Sequence, residues 1–172
     1  MRNGEIKAVK VVGSKQAAIV ESLAQSIWRE YYIPIIGRDQ VEYMLEKIQS
    51  KKAISGQIEK EGYLYYLLKD GDNDWVGYLA VVVHGQDKEL FISKLYINAE
   101  NRGKGYGKYA IGFIETLALE RGLPKISLIV DKNNELSIRI YEKLGFSIAG
   151  PCVVDFGAGF VMDDYKMVKA IA

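Results

Sequence analysis

The pattern of apolar residues predicts an α+β fold, a mixed sheet sandwiched by helices rather than a doubly wound parallel one. Three observations carry this: one strand-like segment followed by two helical ones, a meander of aromatic and β-branched runs, and strand–helix alternation toward the end. A doubly wound chain would alternate from its first element.

Each element has its own signal. Glu5–Val12 is rich in Val and Ile and reads as the first strand. Ser14 offers an N-cap to a helix carrying Ala18, Ile19, Leu23, Ile27 and Trp28 at helical spacing, which Pro34 and Gly37 are expected to interrupt. Asp39 with Glu42 three residues later marks another helix start, continued by Val41, Met44, Leu45 and Ile48. Tyr63–Leu68 and Trp75–Val83 read as strands joined by a turn at Asp70–Asp74, and Leu90–Ile97 as a third strand of the meander. A helix over Gly105–Arg121 presents Tyr106, Ala110, Ile114, Leu117 and Ala118 on one face. Lys125–Val130 is a strand, Asn134–Leu144 a short helix stopped by Gly145, and Phe146 opens a further strand, with Val161–Val168 as the last.

No linker, repeat or low-complexity run divides the 172 residues, so a single domain over 1–172 is expected. Lys plus Arg number 23 against 22 Asp plus Glu, a net charge of +1, which argues against a general nucleic-acid binder. The longest apolar stretch, Trp75–Val83, falls well short of the about 20 residues that span a bilayer, so no membrane partner is expected. The opening MRNGEIKAVK has no apolar signal region, and a cytoplasmic location is expected. Cys152 has no second cysteine to pair with. Together with the single His84 it cannot build a structural zinc site, so no metal is expected.

The segment most suggestive of chemistry is Leu90–Gly107, where a strand runs through a short polar link into Arg102-Gly103-Lys104-Gly105-Tyr106-Gly107 and a helix. Alternating glycines let backbone N–H groups approach a ligand, and at a helix N-terminus those groups favour an anion. Arg102, Lys104 and Lys108 add positive charge, so the physical reading is a phosphate or pyrophosphate cradle. It is not a Walker A loop, because Tyr109 follows Gly107-Lys108, and its third glycine comes one residue early for a dinucleotide fingerprint. A glycine-rich connection that only turns the chain is the plainer alternative. Downstream, Asn134, Ser137 and Tyr141 fall on one helix face as an amide, a hydroxyl and a phenol. The plainer alternative there is a Tyr141 packed in the core.

Together the two segments resemble the GNAT acyltransferase superfamily, which moves acetyl groups from acetyl-coenzyme A to amines. The family's R/Q-x-x-G-x-G/A loop is matched by Arg102, Gly105 and Gly107. Its N-x-x-A-x-x-x-Y-x-x-x-G-F pattern is matched by Asn134, Tyr141, Gly145 and Phe146, with Ser137 in place of the alanine. The resemblance implies a three-layer sandwich with a central mixed, mostly antiparallel sheet. It also implies a direct attack of the amine on acetyl-CoA, with no metal. By resemblance the backbone of Leu95, Tyr96 and Ile97 would hold the pantetheine arm as an added strand, and Arg102, Gly103, Lys104, Gly105, Tyr106, Gly107 and Lys108 the pyrophosphate. A backbone N–H near Tyr96–Ile97 would stabilise the oxyanion, Asn134 would position the cofactor, and Tyr141 would protonate the leaving thiolate.

The general base is left open. Many relatives place a carboxylate just before the pantetheine-binding residues, but here that stretch is Ile92-Ser93-Lys94. Glu89, His84, Asp163, Asp164, or water relayed by Tyr31 or Tyr32, are the candidates, with His84 also readable as a turn residue. Trp28–Tyr32 reads equally as acceptor pocket or core. Asp70, Asp72 and Asp74 do not make a calcium loop, since Trp75 stands where glycine is required. The segment Gly157–Tyr165 resembles one in polyamine-acetylating relatives. The acceptor is therefore expected to be a small-molecule amine, a polyamine among them. A protein amino group and a non-catalytic acyl-CoA-binding module are the alternatives, and homodimers are common in the family.

Overall fold

Along the chain the elements are β1 (Lys7–Lys10), α1 (Gly13–Ile36), α2 (Arg38–Ile48), α3 (Lys51–Lys60), β2 (Leu64–Lys69), β3 (Trp75–His84), β4 (Glu89–Ile97), α4 (Tyr106–Glu120), β5 (Lys125–Asp131), α5 (Glu135–Lys143), β6 (Ser147–Gly157) and β7 (Phe160–Ala170). The computed structural model describes residues 5–171. The seven strands are ordered β1-β2-β3-β4-β5-β7-β6. β1–β2, β2–β3, β5–β7 and β6–β7 pair antiparallel and β4–β5 parallel, which makes the sheet mixed and the fold α+β. The backbone divides into two compact units. One comprises the residues up to Val81 with Lys94–Ile111, the other Val82–Ser93 and the residues from Gly112 on.

In the first unit the meander forms as its sequence demands. Four consecutive residues of β2, Tyr65–Leu68, are buried, as are Val76 and Tyr78–Val81 of β3, so these strands are covered on both faces. Each fully buried large side chain of this kind contributes about 1.5–3 kcal/mol. The intervening turn is closed by Asp70, whose Oδ1 accepts from the N–H groups of Asp72 at 2.9 Å and Asp74 at 2.8 Å.

The helices correct the sequence reading in four places. Ser14 lies inside α1 rather than capping it; Val12 is the N-cap, and its N–H is satisfied by Gln16 Oε1 at 2.5 Å. Pro34 does not interrupt α1. It sits in the final turn, where its missing N–H costs one ladder bond, and the helix stops at Gly37 with φ +87°. The buried face is Ala17, Val20, Ala24, Ile27 and Trp28 rather than one through Ala18, Ile19 and Leu23. Two alanines turn inward and let the helix approach closely. Finally, α3 carries no strong apolar period, because Ile54 is its one fully buried residue. Its start is written in Ser50, whose hydroxyl accepts from Ala53 N–H at 3.1 Å.

In the second unit, α4 buries Ile114, Leu117 and Ala118, as its spacing predicts, and β5 buries Ile126, Ser127, Leu128 and Val130. The register of β5 with β7 runs from Lys125–Ala170 to Asp131–Asp164, and Cys152 of β6 stands opposite Asp164.

Candidate active site

The parallel register of β4 with β5 runs from Glu89–Lys125 to Ile92–Leu128, whereas β4 itself continues to Ile97. Leu95, Tyr96 and Ile97 are thus strand residues beyond the last β5 pair. On the other edge β3 comes very close: a Cβ on Gly77 would lie 2.2 Å from the Tyr96 carbonyl oxygen and 3.1 Å from Ile97 Cα. Only a glycine permits that approach, so Gly77 sets the path of the Tyr96–Ile97 backbone. The Tyr96 ring packs edge-on against buried Trp28 at 5.7 Å, and Trp28 packs on Tyr32 at 4.4 Å. Trp28 is therefore core, while Tyr31 and Tyr32 are half-buried beside it.

Next comes the loop that leads into α4. Gly103 and Gly105 have φ of +78° and +88°, and Cβ atoms built on Gly103, Gly105 or Gly107 would meet nothing within 4 Å. The helical ladder opens with Tyr109 N–H donating to Gly105 O at 3.0 Å, which leaves the N–H groups of Tyr106, Gly107 and Lys108 outside it. These donors, the open space beside the glycines and the helix dipole are what an oxyanion needs. Lys104 and Lys108 are exposed. The charge of Arg102 is engaged by its own neighbours. Its Nε donates to Ile97 O at 3.0 Å, its Nη2 pairs with Glu30 at 3.2 Å, and its guanidinium lies 5.4 Å over the Tyr31 ring. It braces the loop against β4 and α1, all within the first unit.

Asn134 and Tyr141 belong to the second unit. Asn134 is the N-cap of α5, its side chain accepting from Ser137 N–H at 3.1 Å while its own N–H donates to Asp131 O at 3.0 Å. At the other end Phe146 N–H donates to Tyr141 O and Gly145 N–H to Glu142 O, both at 3.0 Å. That is the Schellman pattern, with Gly145 at φ +100° and a Tyr141–Phe146 ring contact at 5.6 Å as its apolar clasp. The Tyr-x-x-x-Gly-Phe spacing is thus a helix stop as well as a motif. Tyr141 is half-buried rather than packed in the core.

The base candidates separate clearly. Glu89 is fully buried. Burial alone would raise its pKa, yet the hydrogen bond from Lys166 Nζ at 2.7 Å, with the charges of Lys166 and Lys125, holds it below the ordinary carboxylate value. Its ligand atoms gather with those of His84 and Asp87 within 4.8 Å, but the two lysines already neutralise it. His84 is half-exposed and stacks on Phe91 at 4.7 Å. Lys94, on the stretch expected to carry an acid, is 4% exposed and hydrogen-bonded to Gln57 Oε1 at 2.8 Å, Ile48 O at 3.2 Å and the Tyr65 hydroxyl. Burial pushes its ammonium down to about 7. Asp163 pairs with Lys132 at 2.8 Å, whereas Asp164 is buried. Sequence reasoning missed the roles of Gly77, Gln57 and Lys94, which depend on partners distant in the chain. A groove of about 460 Å³ lined by Glu21, Arg29, Glu42 and Glu46, among others, contains none of the catalytic, cofactor-binding or base candidates named from the sequence.

Comparison with known proteins bears on the family and the fold. The uncharacterized N-acetyltransferase YycN of Bacillus subtilis (strain 168) is 31% identical over 91 residues, 52% of this chain and 58% of that protein. The spermidine N(1)-acetyltransferase of Escherichia coli (strain K12) is 34% identical over 102 residues, 56% of this chain and 50% of that protein. The chain therefore spans about half the length of these two relatives. The crystal structure of the PaiA N-acetyltransferase from Thermoplasma acidophilum in complex with coenzyme A matches 96% of this chain and 99% of its own, with a TM-score of 0.78 at 19% identity, a likeness of fold. The family model described as Acetyltransferase (GNAT) family matches residues 20–146, from the middle of α1 through the Gly145-Phe146 helix stop, and with most of its length so matched the chain belongs to that family.

Proposed function

We propose that this acetyltransferase moves the acetyl group of acetyl-CoA to a primary amine of a small molecule, a polyamine being the leading class, and that residues 1–172 act as one catalytic domain. The observation that carries the donor is the glycine cradle: open space beside Gly103, Gly105 and Gly107 and helix-terminal N–H groups over Tyr106–Lys108 suit a pyrophosphate. The similarity to the E. coli spermidine enzyme supports the acceptor class.

Acetyl-CoA supplies an activated thioester. The backbone edge of Leu95–Ile97 suits the amide groups of a pantetheine arm. An N–H near Tyr96–Ile97 serves the oxyanion. The Tyr141 hydroxyl, an acid with a pKa near 10 in its ordinary state, donates its proton to the departing sulfur, and Asn134 fixes the start of its helix.

The test is the melting temperature with and without acetyl-CoA. A ligand specific for the folded state at 100 times its dissociation constant adds about 2.7 kcal/mol, or roughly 5–11 °C for a chain of this size. Gly107→Glu is the companion variant. Gly107 has an ordinary negative φ and open space around it, and an acid in the first helical turn suits the dipole, so the free protein melts at or slightly above the wild-type temperature. Its carboxylate occupies the cradle, and the acetyl-CoA shift disappears. No shift in the wild type removes the donor from the reading.

A further inference from the structure

We propose that Asp164 and Asp131 form an ammonium-binding subsite for the acceptor amine. The inference rests on the amine-acetylating reading above and names the residues that recognise the substrate.

The two aspartates are directly opposed in the β5–β7 register, so their side chains share one face of the sheet at close range. Asp164 is 6% exposed, and its Oδ1 is buried without a hydrogen-bond partner among the described residues. Like charges placed opposite each other, one with an unsatisfied oxygen, are unfavourable unless a cation arrives. The neighbouring cation is already committed: Lys132 pairs with Asp163 at 2.8 Å and lies 5.3 Å over the Tyr165 ring. The residue facing Asp164 from β6 is the half-buried Cys152. Asp131 is held in place, its Oδ1 accepting from Asn133 N–H at 2.7 Å and its carbonyl from Asn134 N–H at 3.0 Å. The pair is thus built onto the loop that starts α5.

A primary ammonium answers this arrangement, because it brings one charge and three donors in a compact head. Burial, then the charges of Asp131 and Asp163, push the Asp164 carboxyl up to about 6, with Lys132 opposing. Acidification through that value empties the subsite.

The probe is spermidine, titrated calorimetrically into the free wild-type protein and into Asp164→Asn, Asp131→Asn and, on the exposed part of β6, Asp155→Asn. Asparagine keeps the shape and removes the charge. Affinity is expected to fall by about tenfold or more in the 164 and 131 variants and to stay within about twofold in the 155 variant. Between about pH 7.5 and pH 5 the wild type loses about tenfold, and Asp164→Asn loses that dependence. Unchanged affinity in Asp164→Asn, an equal loss in Asp155→Asn, or no wild-type binding at millimolar spermidine overturns the subsite. Equal displacement by magnesium overturns it in favour of a general cation site. The acetyl-CoA melting shift on the same proteins separates the two readings. Its absence sinks the donor assignment alone, and its presence with indifferent spermidine binding sinks the subsite alone.

Discussion

Tyr141 stands at the third position from the end of α5, where its carbonyl takes the Phe146 N–H and its ring meets Phe146. Those two interactions belong to the backbone and the ring, and neither needs the hydroxyl. Tyr141→Phe therefore keeps the helix stop and removes the hydroxyl with its proton. Turnover of acetyl-CoA with an amine should drop by about 10²–10⁴-fold, the usual worth of a positioned acid, while the acetyl-CoA melting shift stays as in the wild type. A variant that keeps its turnover would reassign the acid, and one that loses the melting shift would mean that the hydroxyl binds rather than reacts. A purely binding protein would be indifferent to the change. Arg102 teaches the complementary lesson at this scale. Its charge, which suggests a phosphate ligand, is engaged by Glu30 and by the Ile97 carbonyl, so the cradle proposed above would rest chiefly on backbone N–H groups.

At the scale of the element, β4 is held where Gly77 allows it. A methyl group there would stand 2.2 Å from a carbonyl oxygen that belongs to backbone and cannot swing aside. Gly77→Ala should cost about 1–3 kcal/mol, seen as a lower urea midpoint, and should raise the KM for acetyl-CoA by displacing Tyr96–Ile97. An unchanged midpoint and KM would show that β3 and β4 separate freely. The sequence displays Gly77 as an isolated glycine in an apolar run, and the neighbour that requires it lies on another strand. The same reasoning divides what could be read from what could not. The meander, α4 and the capped α5 follow from periods and caps confined to a few residues. The Tyr-Gly-Phe stop is equally local, as are the positive φ angles of Gly103 and Gly105 ahead of α4. Helix α3 was not, since Lys51, Lys52 and Gly56 blur its period around one buried Ile54. The inward turn of Ala17 and Ala24 depends on how closely α1 packs, which composition does not reveal. Lys94 reads as a charged surface residue until Gln57, Ile48 and Tyr65 are brought to it.

For the whole molecule, two buried ionisable groups shape stability along the pH axis from opposite sides. Lys94 falls from 10.5 to about 7 on folding, so between those values the unfolded chain binds more protons. Its contribution is present above about 10.5 and is lost as pH falls through about 7. Asp164 rises from 3.8 to about 6, so in that interval the folded chain binds more protons. Its contribution is present below about pH 4 and is lost as pH rises through about 6. Both are therefore smallest between about pH 6 and 7, where each group is buried and charged. The shifts correspond to roughly 5 kcal/mol for Lys94 and roughly 3 kcal/mol for Asp164, as upper values. Glu89, held low by Lys166, loses its own contribution on acidification and masks part of the Asp164 gain in the wild type. Differences against variants remove that masking. Urea midpoints should show wild type gaining on Lys94→Met as pH rises from about 7 to 10, and losing against Asp164→Asn as pH rises from about 4 to 6. Parallel curves for wild type and Lys94→Met would mean that the ammonium keeps its solvent exchange despite its burial. Parallel curves for Asp164→Asn would mean that neither burial nor the charge of Asp131 raises the Asp164 carboxyl, and the ammonium subsite would lose its electrostatic basis.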